Sequence, residues 1–257
     1  MSVGHYENFP VASLLLPAPL RRPVEVIYRF ARGADDLADE GDDPPEARLG
    51  KLRDYHRRLD APSEAADIIR QYQLPVGLFE DLLDAFTQDV TKKRYANYAE
   101  LLDYSRRSAN PVGRLLLHLF KRTSETDLKR SDAICSALQF INFWQDVDVD
   151  FTKDNRIYLP ADEMARFGVS EKHLQQKTTD DSWRRLMSFQ VERTRKLMLE
   201  GAPLGRSLPG RVGLEIRATV QGGLRILEKI RGVDFDVFRR RPVLGALDWP
   251  LLLVKAL

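Results

Sequence analysis

Residues 139–150 read QFINFWQDVDVD, and this stretch contains the strongest clue to the fold. Successive residues of an α-helix are rotated by about 100°. With that rotation, one polar stripe about 80° wide and three turns long is formed by Gln139, Asn142, Asp146 and Asp150. Asp148 points nearly the opposite way, and large apolar side chains flank the stripe. Because a surface helix usually carries Lys or Glu on its wet side, the stretch predicts a helix whose polar side faces a site.

The same helical period recurs along the chain, whereas alternation typical of strands does not. Apolar stripes lie within residues 24–38, 78–86, 115–120 and 134–141, and the pattern repeats in 183–199 and 214–230. No repeat, low-complexity tract or linker divides the sequence. We therefore expect an all-α fold of seven to nine helices, with residues 1–257 in a single domain.

The composition is that of a globular protein: 257 residues, 40 Lys and Arg against 38 Asp and Glu, a formal net charge of +2 and 43% hydrophobic residues. This balance argues against nucleic acid as a partner, because neutralising phosphates needs a clear basic excess. The lone Cys135 excludes an internal disulfide, and we expect a cytoplasmic protein in which Cys135 is a core residue. The apolar stretch at 242–257 is expected to pack on the domain, with peripheral contact at the inner face of the membrane as the alternative.

Another acidic cluster, earlier in the chain, reads RGADDLADE at residues 32–40. Asp35 and Asp39 are four residues apart and so about 40° apart on one helix face, with Arg32 one turn before Asp35. Carboxylates at this spacing repel each other and lie near the negative end of the helix dipole. A bound cation is the simplest compensation.

Oxygen ligands without Cys or His suit Mg²⁺, which takes one or two carboxylates together with water and substrate phosphate oxygens. Two such clusters facing each other would hold a diphosphate through metal ions. The sequence has neither a P-loop nor a dinucleotide-binding fingerprint. The alternative interpretation is that each cluster is a solvated helix end rich in acids.

These clusters resemble the aspartate-rich signatures of the squalene/phytoene synthase family. The first, DDLAD at 35–39, follows YRFAR at 28–32; the second, from Asn142 to Asp150, is followed by RIYLP at 156–160. The resemblance covers nearly the whole chain. It implies an isoprenoid synthase helical bundle around a central apolar cavity, with aspartates at its mouth.

The resemblance also implies roles for individual residues. The candidate Mg²⁺ ligands are Asp35, Asp36, Asp39, Asn142, Asp146 and Asp150, of which Asp35, Asp39, Asp146 and Asp150 are the candidate catalytic residues. Contacts with the diphosphate are expected from Arg32, Arg156, Tyr158 and Arg240. The cavity is expected to be lined by Tyr104, Val112, Gly113 and Gln139. Pro111 either kinks a helix beside the cavity or marks a helix boundary.

Three positions depart from the condensing members of the family. Tyr6-Glu7-Asn8-Phe9 stands where they commonly have Ser-x-Ser-Phe, Gln145 where they have Arg, and Leu224 where they have Tyr. These departures resemble the branch that acts on presqualene diphosphate and ends with water rather than hydride. The implied reaction is Mg²⁺-dependent ionisation of presqualene diphosphate, rearrangement, and water capture to give hydroxysqualene and diphosphate. Glu7, Asn8 and Gln145 are candidates to position the water or to replace lost diphosphate contacts.

This function implies an isoprenoid diphosphate substrate and two partner enzymes, a synthase that supplies presqualene diphosphate and a downstream reductase. Within the family, the alternative is a condensing synthase that joins two farnesyl diphosphates head to head. The alternative of another class is a non-catalytic helical scaffold, which would not need both aspartate clusters in phase.

Overall fold

The computed structural model describes residues 17–41 and 43–256, which form an all-α structure, as predicted. Fourteen α-helices lie within these residues: α1 (Ala18–Asp39), α2 (Pro45–His56), α3 (Glu64–Tyr72), α4 (Val76–Asp89), α5 (Tyr98–Ser108), α6 (Asn110–Leu119), α7 (Glu125–Gln145), α8 (Val147–Asp154), α9 (Ala161–Phe167), α10 (Glu171–Gln175), α11 (Asp181–Gly201), α12 (Leu204–Ser207), α13 (Gly210–Gly232) and α14 (Asp248–Ala256). A short 3-10 helix, Arg57–Leu59, follows α2. One isolated parallel bridge joins Arg94 to Ile157.

The prediction of seven to nine helices is wrong, for two physical reasons. Some helices are interrupted by a single residue: Asp146, at φ −104° and ψ 14°, separates α7 from α8, and Ala109 separates α5 from α6. Pro111 lies in the first turn of α6, where a proline is tolerated, so it marks a helix boundary. Other helices, such as α10 and α12 with five and four residues, are too short to show an apolar stripe.

Polar side chains fix where several helices begin. Backbone N–H groups three residues further on donate to the side chains of Ser63, Asn97, Ser124 and Asp180, at 3.1, 3.0, 3.1 and 2.9 Å respectively. Each such cap contributes about 1 kcal/mol relative to Ala. At the other end of α8, Asn155 adopts the left-handed conformation with φ 49°. This turn brings the next residue, Arg156, back so that its N–H donates to the Asp150 carbonyl at 3.0 Å.

Two apolar cores hold the helices together. One core contains the buried faces of α1 to α4 together with part of α6, and the other is built around α7, α11 and α13. Trp144 and Trp183 are fully buried in the second core. Their indole N–H groups donate to Thr194 Oγ1 at 2.8 Å and to the Phe235 carbonyl at 2.9 Å. The two acidic clusters therefore begin on helices of different cores, α1 and α7.

The last described helix, α14, packs against α13. Its Asp248 carboxylate accepts a hydrogen bond from Arg225 Nε at 2.8 Å and is also paired with Lys229. Beside this anchor, large apolar side chains remain in contact with solvent; they are Leu247, Trp249, Leu251 and Val254. None of the helices that the structure describes is both long and apolar enough to cross a membrane.

Candidate active site

A cavity of about 600 Å³ lies between α1, α5, α6, α7 and α13, with both cores contributing to its wall. Most of the wall is apolar, and a polar part is formed by Arg32, Asp35, Gln139 and Asn142. The predicted lining residues Tyr104, Val112, Gly113 and Gln139 all lie in this wall. A Cβ atom at Gly113 would clash with Ser131 Oγ and lie 2.5 Å from Cys135 Sγ. Glycine at this position therefore allows α6 to approach α7 closely.

Cys135 also lines this cavity. Burial raises the pKa of its thiol to about 11. A thiol with so high a pKa is not a nucleophile at neutral pH. Cys135 is expected to be a core residue, but it lies half-buried in the wall of the cavity.

The first acidic cluster lies in the last two turns of α1. Arg32 Nη1 donates to Asp35 Oδ2 at 2.8 Å, and Arg32 Nη2 lies 2.6 Å from Asp36 Oδ1. Burial, followed by the negative charge of Asp39, raises the pKa of Asp35 to about 6, against the opposing effect of Arg32. Asp35 lines the cavity, whereas Asp36 does not. The Asp36 side chain is 41% exposed, and its charge helps to raise the pKa of Tyr55.

Arg156 links the first cluster to the second. Its side chain is buried, and Nη2 donates to Asp39 Oδ1 at 2.9 Å and to the Asp89 carbonyl at 3.0 Å. Nη1 donates to the Tyr158 hydroxyl at 3.1 Å. The guanidinium charge also opposes, without cancelling, the rise in the pKa values of Asp35 and Asp150 that burial causes. One cation thus binds a carboxylate of α1 and a backbone carbonyl of α4, and its charge also acts on the Asp150 carboxylate of α8. The two predicted clusters therefore face each other.

The second cluster runs across the break between α7 and α8. The stripe predicts one continuous helix here, and this prediction is wrong at Asp146. The four-residue spacing of the polar side chains is still kept, because Asp146 N–H donates to the Asn142 carbonyl at 2.9 Å and Asp150 N–H donates to the Asp146 carbonyl at 2.8 Å. The Asp146 carboxylate pairs with the guanidinium of Arg241 through Nε and through Nη2, the latter at 3.0 Å. Burial, and then the charge of Asp146, raises the pKa of Asp150 to about 8.

The carboxylates fit a magnesium site that is completed by a phosphorylated ligand. No group of three His, Cys, Asp or Glu side chains in the described residues converges on one metal position. Mg²⁺ commonly uses one or two protein carboxylates and takes its other ligands from water and substrate phosphates. The raised pKa values of Asp35 and Asp150 indicate buried negative charge that a divalent cation would stabilise. The donor set is therefore suited to Mg²⁺ held between the two clusters.

Some predicted residues lie elsewhere or have other contacts. Arg240 is exposed, whereas its neighbour Arg241 contacts the acidic cluster. Gln145 is 1% exposed and its Nε2 donates to the Pro242 carbonyl at 2.6 Å. Tyr158 is buried, with its ring stacked on Phe143. Asn8 and Glu7 lie outside the described residues.

Asp89, on the last turn of α4, is a site residue that sequence reasoning missed. It is 1% exposed, and its Oδ2 accepts a hydrogen bond of 2.7 Å from the Tyr104 hydroxyl. Burial raises its pKa to about 7. The sequence does contain a signal for its burial: Asp89 follows Leu82 and Phe86 at helical spacing and so falls on the apolar stripe of α4.

The fold and the site together define an isoprenoid synthase. The structure of squalene synthase HpnC from Alicyclobacillus acidocaldarius has the same fold, with a TM-score of 0.82 and 35% identity over 90% of each chain. The chain belongs to the squalene/phytoene synthase family, whose model matches residues 3–248. Both the predicted fold and the predicted family are thereby confirmed.

Two curated relatives are similar over most of their length. A hydroxysqualene synthase of Zymomonas mobilis is 36% identical over 224 residues, which are 83% of this chain and 75% of the relative. A hydroxysqualene synthase of Rhodopseudomonas palustris is 33% identical over 236 residues, which are 89% of this chain and 80% of the relative.

Proposed function

We propose that this isoprenoid synthase acts on presqualene diphosphate in the presence of Mg²⁺ and releases hydroxysqualene and diphosphate. The observation that carries the proposal is Gln145, a buried neutral amide beside Asp146 that is hydrogen-bonded to the Pro242 carbonyl. Condensing members of the family commonly have an arginine at this position. An amide engaged with the backbone offers no positive charge to a second diphosphate. The site is therefore better suited to a substrate with one diphosphate, and the similarity to proteins named hydroxysqualene synthase supports the same substrate.

In this proposal, Arg32 and Arg156 bind the diphosphate, because a guanidinium forms paired hydrogen bonds with phosphate oxygens. Mg²⁺ held by Asp35, Asp39, Asn142, Asp146 and Asp150 would neutralise charge on the departing diphosphate. The ring of Tyr104 in the cavity wall presents an aromatic face to a carbocation. The apolar wall around it keeps bulk water away from that cation.

The proposed reaction balances without a reductant. The carbon–oxygen bond to the diphosphate breaks, and its electron pair leaves with the diphosphate. The cyclopropylcarbinyl cation rearranges, a water oxygen forms the new carbon–oxygen bond, and the proton lost by that water goes to the diphosphate. The alcohol therefore needs a separate reductase to become a hydrocarbon, and the substrate needs a separate condensing synthase.

The proposal is tested by incubating the purified protein with presqualene diphosphate and Mg²⁺, with and without NADPH, and measuring product masses. We expect hydroxysqualene in both reactions. Release of diphosphate from farnesyl diphosphate alone, with presqualene diphosphate left intact, would establish the condensing alternative instead.

The aspartates are tested separately by Asp35→Asn and Asp146→Asn. Each substitution should lower turnover by about 100-fold or more, since it removes a carboxylate that would hold Mg²⁺ against the leaving diphosphate. The helical circular-dichroism signal should be unchanged. Full activity in both variants would favour a site elsewhere, and loss of the helical signal would point to a structural role for the aspartates.

The exposed apolar side chains around α14 support a peripheral membrane location for an enzyme with such an oily substrate and product. Leu247 is 93% exposed and Val254 71% exposed. Apolar side chains of this kind can insert into the interfacial region of a bilayer without crossing it.

A further inference from the structure

Ser108, the last residue of α5, places a hydroxyl without a partner at the cavity wall. Its Oγ is buried and has no hydrogen-bond partner within the part of the chain that the structure describes. Ser108 lies one turn after Tyr104 and one turn before Val112, and all three residues line the cavity. A buried hydroxyl is costly unless water or a ligand satisfies it. A small polar molecule in the cavity would provide that partner.

Two nearby serines show which properties are specific to Ser108. Ser131 also lines the cavity, but its hydroxyl is hydrogen-bonded to Cys135. The Ser105 hydroxyl, one turn earlier on α5, is likewise buried and without a partner among the described residues, but Ser105 is not part of the cavity wall. Ser108 combines a hydroxyl in need of a partner with a position in the wall.

Ser108 lies on a different helix from the aspartates of the site. Of the acidic residues in the cavity wall, Asp35 belongs to α1 and Glu215 to α13, whereas Ser108 belongs to the wall formed by α5 and α6. The same cavity wall also contains the apolar side chains of Phe86, Val112 and Leu116. In such apolar surroundings a single hydroxyl has a large influence on where a water molecule rests.

We propose that the Ser108 hydroxyl holds and orients the water molecule that captures the rearranged carbocation. This inference rests on the proposed function, in which the product is an alcohol. Ser108 is a positioning residue: the water oxygen forms the bond to carbon, the released proton goes to the departed diphosphate, and the serine keeps its own proton. If the water is not oriented, the cation instead loses a proton to the diphosphate and gives an unsaturated hydrocarbon with the same carbon skeleton.

The test measures the ratio of alcohol to hydrocarbon formed from presqualene diphosphate in water enriched in oxygen-18. Ser108→Ala should lower this ratio about three- to tenfold, the effect expected for one lost hydrogen bond. Ser108→Thr, which keeps the hydroxyl, should restore most of it. Ser105→Ala is the matched control, because it removes a similar buried hydroxyl from the same helix, and it should leave the ratio unchanged.

The outcomes separate this inference from the proposed function. A wild-type protein that forms no labelled alcohol would overturn the proposed function, and the role of Ser108 with it. A wild-type protein that forms labelled alcohol while Ser108→Ala keeps the same ratio would overturn the role of Ser108 alone. Thr219→Val provides the remaining comparison, because Thr219 lies in the wall on α13. A lowered ratio in Thr219→Val with a normal ratio in Ser108→Ala would assign the water to the opposite helix.

Discussion

The Asp89→Asn variant should gain stability relative to the wild type as the pH rises from 5 to 7. Burial raises the pKa of Asp89 to about 7, although Arg156 and the hydrogen bond from Tyr104 act in the opposite direction. In an unfolded chain an Asp titrates near pH 4, at about 3.9. Between these values the folded protein holds a proton that the unfolded chain has lost. The stability that this proton contributes is therefore present below pH 4 and lost as the pH rises through 7.

The size of the effect follows from the width of that window. The slope is about 1.4 kcal/mol per pH unit but declines near pH 7, where half of the folded molecules have lost the proton. The variant therefore gains roughly 2 kcal/mol between pH 5 and 7, with little further change to pH 8. Asn matches the shape of Asp but does not titrate. Its carbonyl oxygen can still accept the hydrogen bond that Tyr104 donates to Asp89 at 2.7 Å. The bond from Arg156 to the Asp89 backbone carbonyl is also independent of the side chain.

The assay is urea unfolding of both proteins at pH 5, 6, 7 and 8 with a metal chelator present, analysed by linear extrapolation. Asp54→Asn is the control, because it removes a carboxylate that is 71% exposed in its pair with Arg57. A constant difference between Asp89→Asn and wild type would refute the reasoning. It would mean that the Arg156 guanidinium outweighs burial and keeps Asp89 ionised throughout.

Three further predictions concern the metal, a basic residue and the membrane. Mg²⁺ affinity, measured by calorimetry, should rise by up to about 100-fold between pH 6 and 8. The reason is that Asp150, with a pKa of about 8, must lose its proton to bind the ion. An affinity that does not change with pH would contradict its role as a ligand. Arg241→Met should slow diphosphate release about tenfold, because one carboxylate loses its charged partner, and Arg240→Met should slow it less; the reverse order would contradict the contacts seen here. Leu247→Ser should weaken flotation with liposomes, whereas Leu102→Ser, at a side chain 39% exposed on α5, should not; equal flotation of both variants would rule out this contact.

Local patterns predicted the parts of the site that depend on helical spacing. Asp35 and Asp39 lie on one side of α1 because they are four residues apart, and the same spacing holds for Asn142 and Asp146. Asp148, predicted to point away, pairs with Lys177 at 2.7 Å. The break between α7 and α8 at Asp146 was not predictable from spacing, since one non-helical residue leaves the side-chain period almost intact.

Contacts between distant segments could not be predicted in this way. Asp146 and Arg241 are 95 residues apart, and Arg156 and Asp39 are 117 apart. Periodicity gives the face of a helix on which a residue lies, but the partner of that face depends on how helices pack. Asp89 shows the same limit, because an acid on an apolar stripe indicates burial without indicating its partner.

The run Arg239-Arg240-Arg241 shows why packing assigns different roles to identical neighbours. Arg239 pairs with Asp236 and donates to the Lys177 carbonyl at 3.0 Å, Arg240 is exposed, and Arg241 pairs with Asp146. The choice is made by the backbone, since Gln145 binds the carbonyl of Pro242 and so fixes the chain directly after Arg241. Gln145 precedes Asp146 in the sequence, so one of two adjacent residues binds the backbone of the residue after Arg241 and the other binds the Arg241 guanidinium. The anchored Pro242 therefore lies directly beside Arg241, the arginine of the run that pairs with the aspartate.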